Sequence, residues 1–266
     1  MLMNTSHLKG LAILASDGEL GTVAELYFDD ETWAVRYLTV ETGGWIGGRK
    51  VLISPFSIVR TDWQAKQIEV ALTKKQVENS PNVDTHRPVS RQQEAQYLDY
   101  YGYPYYWEGP YLWGSAYYPT GLTAPMSVAA IGEAEKIRKK SEDTHLRSTT
   151  DVAGYHLEAK DGEIGHVCGF VLDDQAWALR YVEVATQNWW PGKKVLVSPA
   201  WVESVSWPES KVYVALTRNV IRTGPDYDED VPIGREYENK LYYHYGRPPY
   251  WLNETAQKAS IARGGA

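Results

Sequence analysis

The sequence holds one cysteine, three phenylalanines and three methionines among 266 residues. A single cysteine excludes an internal disulfide and any Cys-based zinc cage, and it suits a reducing compartment. No apolar run approaches the roughly 18 residues that a membrane helix needs. Met1 to Leu20 has no apolar stretch behind a basic start. The expectation is therefore a cytoplasmic protein with neither a cleaved signal nor a membrane insertion. A formal charge of −7 leaves too little positive surface for phosphate, so free nucleic acid is not an expected partner. No Gly-x-Gly-x-x-Gly, Walker loop, Gly-x-Ser-x-Gly or His-Glu-x-x-His occurs, and no cofactor is expected. What is present is tyrosine and tryptophan, 20 and 11 of them. These residues favour half-buried positions and interfaces, where one end of the ring stays wet.

The chain repeats itself at a constant offset. Asp17-Gly18-Glu19-x-Gly21 returns as Asp161-Gly162-Glu163-x-Gly165, and Asp29-Asp30-x-x-Trp33-Ala34-x-Arg36-Tyr37 as Asp173-Asp174-x-x-Trp177-Ala178-x-Arg180-Tyr181. Lys50-Val51-Leu52-x-Ser54-Pro55 returns as Lys194-Val195-Leu196-x-Ser198-Pro199. Tyr101-Gly102-x-Pro104-x-Tyr106-Trp107 returns as Tyr245-Gly246-x-Pro248-x-Tyr250-Trp251. Roughly 37 of about 98 aligned positions are identical, more than a shared strand pattern produces. Two homologous domains are expected, at residues 1–108 and 147–252, with a linker over 109–146 and a disordered tail over 253–266.

Each repeat reads as strands first and helix second. Gly10–Ala15, Thr22–Phe28, Trp33–Glu41, Lys50–Ile53, Ser57–Thr61 and Gln67–Leu72 are short apolar or alternating runs, and Asp17-Gly18 is a hairpin-turn dipeptide. Six short strands in about 65 residues predict a small antiparallel barrel. Thr73-x-x-Gln76 and Ser90-x-x-Gln93 fit capping boxes. A helix near Gln93–Tyr101 has its counterpart near Gly234, with Tyr237, Leu241 and Tyr245 on one face. Each helix stops at Gly and then Pro, before an aromatic extension. A further short helix is expected from Ser127 in the linker. The fold class is mainly β: two tandem small antiparallel β-barrels, each followed by a short helical and aromatic extension. The repeated aromatic surfaces predict that the barrels pack as an internal pseudo-dimer, with homo-oligomers also open.

The ordered series Asp-Gly-Glu-x-Gly-x-Val, the Asp-Asp turn, the aromatic-Arg-Tyr strand, Lys-Val-Leu-x-Ser-Pro and Tyr-Gly-x-Pro-x-Tyr-Trp resembles the PRC-barrel family. The resemblance covers nearly all of both repeats. It implies a compact β-barrel, known from the photosynthetic reaction-centre H subunit and from a ribosome maturation factor, in which the module binds other proteins. This chain lacks the membrane helix of the one and the N-terminal domain of the other, so neither role carries over. It is similar to the stand-alone bacterial PRC-barrel proteins.

Candidate chemistry is sparse. Asp17 with Glu19, Asp29 with Asp30, and their copies are paired carboxylates, but ten strand residues at about 3.3 Å each set the two pairs some 25–30 Å apart. General acid–base pairs on one sugar ring stand about 5–10 Å apart. These carboxylates read as turn formers. Asp226-x-Asp228-x-Asp230 imitates the start of a calcium loop, yet Val231 and Tyr237 stand where such a loop needs Gly and Glu. The first repeat has Asn82, Asp84 and His86 there. His156, His166 and Cys168 fall on adjacent expected strands, but nothing specifies an orienting group for them. No catalytic, cofactor-binding or metal residues are assigned.

The loop Trp45-Ile46-Gly47-Gly48-Arg49-Lys50 and its copy Asn188-Trp189-Trp190-Pro191-Gly192-Lys193-Lys194 are more informative. Their rings either close a barrel end, pack between the barrels, form a partner-binding patch of Trp45, Arg49, Trp189, Trp190 and Lys193, or stack on a sugar or aromatic ligand. The leading functional expectation is a non-enzymatic protein-interaction or scaffold protein whose partner is another protein. The alternatives are a small-ligand or carbohydrate-binding protein using Tyr/Trp surfaces, or a hydrolase with a site between the barrels.

Overall fold

The structure is a computed structural model, and it describes residues 1–81, 89–119, 145–186, 193–252 and 254. Two compact units divide it. The first unit comprises Thr5–Val152 with Asp173–Leu179, and the second comprises Met1–Asn4, Ala153–Leu172 and the chain from Arg180 onward. The units thus do not follow the repeat boundaries.

The N-terminal strand β1 (Leu2–Asn4) is followed by β2 (Ala12–Ala15), β3 (Gly18–Asp29), β4 (Val35–Glu41), β5 (Lys50–Ile53), β6 (Ile58–Asp62) and β7 (Gln67–Val70). Two helices follow, α1 (Lys74–Glu78) and α2 (Arg91–Tyr101). Then come β8 (Leu146–Ser148) and a helical turn, α3 (Thr149–Val152). The second series runs β9 (His156–Ala159), β10 (Gly162–Asp173), β11 (Ala178–Ala185), β12 (Lys194–Val197), β13 (Val202–Ser206) and β14 (Lys211–Val214), then α4 (Arg218–Arg222) and α5 (Arg235–Tyr245). The sheets have the orders β5-β4-β3-β2-β7-β6 and β12-β11-β10-β9-β14-β13, the same order seven strands apart. Each becomes seven-stranded by one addition: β8 pairs with β3, and β1 pairs with β10.

The expected hairpin forms at Asp17-Gly18, with Ala15 opposite Gly18 and Ile13 opposite Gly21. The register slips between Ile13 and Leu14, a bulge that increases local twist. Gly21 sits at this slip with φ +145°, and a Cβ there would lie 1.9 Å from the Glu41 carbonyl oxygen. The antiparallel expectation is corrected at one pair per sheet: β2 with β7 and β9 with β14 are parallel. The cause is the corner after β5. Ser54 caps a 3-10 turn at Pro55–Ser57 by accepting from the Phe56 amide, and proline presets its first residue. The chain passes this corner without reversing, so β7 returns alongside β2 in the same sense.

The first core gathers Ile13, Leu20, Leu26, Phe28, Val35, Tyr37, Val40, Ile53 and Ile68, all buried. Both capping boxes are present, at Thr73/Gln76 and Ser90/Gln93. Helix α2 ends at Gly102 with φ +68°, the left-handed stop that glycine adopts without penalty. Its inward face is Glu94, Ala95, Tyr97 and Leu98. Tyr97 donates to the Leu52 carbonyl at 2.9 Å and meets Tyr37 edge-on at 5.0 Å. In the second unit, Leu241, Tyr242 and Tyr245 of α5 are buried, with Tyr242 and Tyr245 against Trp201.

The start of the expected linker is folded. Tyr111 bridges Gly114, and Trp113 bridges Ala116. Trp113 is buried edge-on to Phe56 and donates to the Ala176 carbonyl at 2.8 Å, while Tyr117 packs with Ala176 and Ala178. Aromatic anchors therefore hold this segment in the first unit. The expected helix from Ser127 and nearly all of the tail from residue 253 lie outside the described residues. No helix among the described residues is long and apolar enough to cross a membrane.

Candidate functional site

The loop between β4 and β5 carries two of the expected partner-binding residues. Gly43, Gly44, Gly47 and Gly48 are exposed, and Trp45 and Ile46 are half-buried between them. The Trp45 indole donates to the Leu20 carbonyl at 2.8 Å, and the Lys74 ammonium lies 4.6 Å from its ring centre. Arg49 turns inward, donating to the carbonyls of Val77 and Glu78 at 3.0 Å each and of Ser80 at 3.5 Å. Those carbonyls lie at and just past the end of α1, where the helix dipole also favours positive charge. Lys193 does the same for α4, donating to the carbonyls of Arg222 at 2.9 Å and Gly224 at 3.1 Å, beside Asp226 at 2.7 Å. The two cations are thus helix-end staples, and Arg49 foots the first loop. Trp189 and Trp190 lie outside the described residues.

Four of the duplicated carboxylates are engaged by backbone amides. Asp17 accepts from the Lys74 amide at 2.8 Å and Asp161 from the Arg218 amide at 2.7 Å, each at the start of a short helix. Asp29 accepts from the amides of Glu31 and Thr32, both at 3.0 Å, and Asp173 from Gln175 and Ala176 at 3.1 and 3.5 Å. These are Asx turns. They lead into Trp33 and Trp177, both in the left-handed region at φ 58° and 50°. Each strained tryptophan exposes its backbone to the other's neighbour: Val35 donates to the Trp177 carbonyl at 2.7 Å and Leu179 to that of Trp33 at 2.8 Å.

His156 and His166 are register partners across β9 and β10, and His156 pairs with Glu163 at 2.9 Å. The Cys168 thiol donates to the Glu183 carbonyl at 3.5 Å; desolvation and then Glu183 push its pKa up to about 12, the reverse of an activated nucleophile. Asp228 accepts from the Asp230 amide at 3.0 Å, a turn within the acidic loop. Among the described residues no group of three His, Cys, Asp or Glu side chains stands ready for a metal ion.

A buried polar cluster was not anticipated from the sequence. Glu94 on α2 is fully buried; its two oxygens accept from the Tyr106 hydroxyl at 2.7 and 2.8 Å, and one lies 2.7 Å from His145 Nε2. Arg91 stands 3.8 Å from Glu94 and donates to the Tyr106 hydroxyl at 3.0 Å. Arg36, equally buried, stacks on the Tyr106 ring at 3.6 Å, donates to the Leu112 carbonyl at 2.7 Å and lies 3.7 Å from Asp29. Burial raises the Asp29 pKa, but Arg36 and the Thr32 amide outweigh it and leave it lowered. The second unit holds a copy. Glu238 accepts from Tyr181 at 2.8 Å and Tyr250 at 3.0 Å and pairs with Arg235 at 3.0 Å, while Arg180 sits over the Tyr250 ring. The signal was available: Arg36, Arg91, Glu94 and Tyr106 all recur as identical residues in the second repeat.

His145 has no such copy, since the repeat offset places Met1 there. Burial lowers its pKa, yet the hydrogen bond and charge of Glu94 outweigh this and leave it raised. Arg91, Asp29 and Asp30 also face it. Its stabilisation is therefore complete below an unfolded-state value of about 6.5 and fades as pH rises through the folded-state value. His145→Gln is expected to lose more stability at about pH 5.5 than at about pH 8.5. Urea unfolding at both pH values checks this; equal losses would mean that the fold leaves the imidazole pKa where it lies in the unfolded chain.

Compared with known families, residues 2–77 match the model of the PRC-barrel domain. No curated protein matches the chain.

Proposed function

Residues 2–77 being a PRC-barrel domain, we propose that this chain is a non-enzymatic protein-interaction or scaffold protein, docking its partner on the Gly43–Gly48 loop of the first unit. The observation that carries the reading is the way this loop is footed. Trp45 is tied to the Leu20 carbonyl, and Arg49 is clamped across the end of α1, so the ring is anchored between exposed glycines. An aromatic side chain ordered before binding loses little entropy on docking, which is how a few residues dominate an interface. The non-enzymatic part is supported by Asp17, Asp161, Asp29 and Asp173, whose oxygens accept backbone amides as caps and turns.

The test is affinity capture by the wild-type protein and by Trp45→Ala, with both confirmed folded by circular dichroism. Trp45→Ala is expected to reduce recovery of a stoichiometric protein partner at least about tenfold, the behaviour of a hot-spot residue. Equal recovery by both would remove the loop from the interface. A turnover abolished by Asp17→Asn or Asp29→Asn in a folded protein would overturn the non-enzymatic reading.

A further inference from the structure

Strands β1 and β8 are three residues long, and the repeat offset superimposes Leu2–Asn4 on Leu146–Ser148. Each joins the sheet built by the other half of the sequence. In the first unit, Ser148 stands opposite Tyr27, Arg147 opposite Phe28 and Leu146 opposite Asp29. The Ser148 hydroxyl donates to the Glu25 carboxylate, which lies 3.8 Å from the Lys50 ammonium. Arg147 pairs with Asp30 at 3.0 Å, and Leu146 is fully buried. In the second unit, the Asn4 side chain donates to Glu183 at 2.6 Å, and Lys194 pairs with the same carboxylate at 2.7 Å.

The two arrangements serve one contact by different routes. Glu25 on β3 stands opposite Thr39 on β4. The repeat offset places Gly169 and Glu183 at those positions, so the carboxylate has moved to the neighbouring strand. Glycine leaves room for the moved carboxylate, since a Cβ at 169 would lie 2.7 Å from Glu183 Oε2 where it now stands. The polar residue on the added strand and the lysine on the strand after next are kept. A carboxylate preserved across a change of strand is being held for the added strand it contacts.

We propose that β1 and β8 are reciprocal docking strands, each recognised by a carboxylate–lysine pair of the sheet it joins, so that the pieces on either side of residues 120–144 are partners of one another without a covalent link. Each unit is assembled from both pieces: Met1–Asn4 completes the second, and Leu146–Val152 with Asp173–Leu179 completes the first. The occupant of each docking edge is therefore the other half of this chain. The proposal does not depend on the function proposed above.

The experiment uses the full chain with a protease site placed within 120–144. After cutting, gel filtration and native mass spectrometry are expected to find both pieces in one particle near 30.1 kDa. Two separate species would overturn the proposal. Since other segments also join the pieces, the carboxylate is tested by rescue. Glu183→Thr and Gly169→Glu are each expected to weaken reassembly of the cut protein about tenfold, and the double variant, which copies the Glu25/Thr39 arrangement, to recover to within about threefold of wild type. If a single variant fails to fold after cutting, thermal unfolding of the uncut chain must give the same order, with the double variant above both singles. A double variant no better than its singles would show that the carboxylate does not read the strand.

Discussion

Glu94→Ala is expected to be among the most damaging single substitutions in the first unit, costing about 3–5 kcal/mol. The carboxylate is the shared acceptor for the Tyr106 hydroxyl and His145 and stands beside Arg91, with none of its surface reaching water. Removing it takes from His145 and Arg91 the carboxylate they share and from the tyrosine hydroxyl its acceptor, in a medium where a lost charge partner is costly. The loss comes from breaking the cluster, not from the net worth of the ion pairs, which desolvation largely offsets. Glu94→Gln retains one carbonyl acceptor for Tyr106 and is expected to cost less than Glu94→Ala. Urea unfolding followed by tryptophan fluorescence measures both. A loss below about 1 kcal/mol for Glu94→Ala would mean that water reaches the cluster.

Gly21→Ala is the second large effect. The added methyl would meet the Glu41 carbonyl oxygen at 1.9 Å on a backbone held at φ +145°. Backbone atoms on both sides fix the clash, so no side-chain rotation relieves it, and the β3–β4 contact must open. A loss of at least about 3 kcal/mol is expected, combining strain with lost pairing. Gly165→Ala is expected to behave alike in the second unit, where the Ala185 carbonyl oxygen lies 2.0 Å from the added atom. Thermal unfolding of the two variants checks the pair; a melting temperature within 2–3 °C of wild type, about 1 kcal/mol, would show that the strands slide apart freely.

These two positions mark what the sequence discloses and what it hides. Gly21 belongs to Asp-Gly-Glu-x-Gly, whose turn chemistry is local, and the hairpin, both capping boxes and the Gly102 stop all follow from neighbours a few residues away. Glu94 and Arg91 look like a solvated helix face, because burial of a charge depends on a tyrosine and a histidine 12 and 51 positions further along the chain. Strands β1 and β8 are too short for any periodicity, and their place is set by long-range pairing. Arg49 and Lys193 beside tryptophans suggest an exposed cationic patch. Their long stems instead carry the charge to carbonyls some 30 residues away, a reach that spacing does not encode. The corner at Ser54-Pro55 is written plainly in the sequence, but that the chain keeps its sense there is seen only in the parallel pairing of β7 with β2.

The interaction reading is tested most directly by photo-crosslinking from inside the loop. A benzophenone amino acid replaces Ile46 in the full chain, expressed in its native cells and irradiated. One dominant crosslinked protein is expected, in stoichiometric yield, with its attachment lost when Trp45→Ala is added. Crosslinks spread over many abundant proteins, or a single adduct unaffected by Trp45→Ala, would contradict the interaction reading.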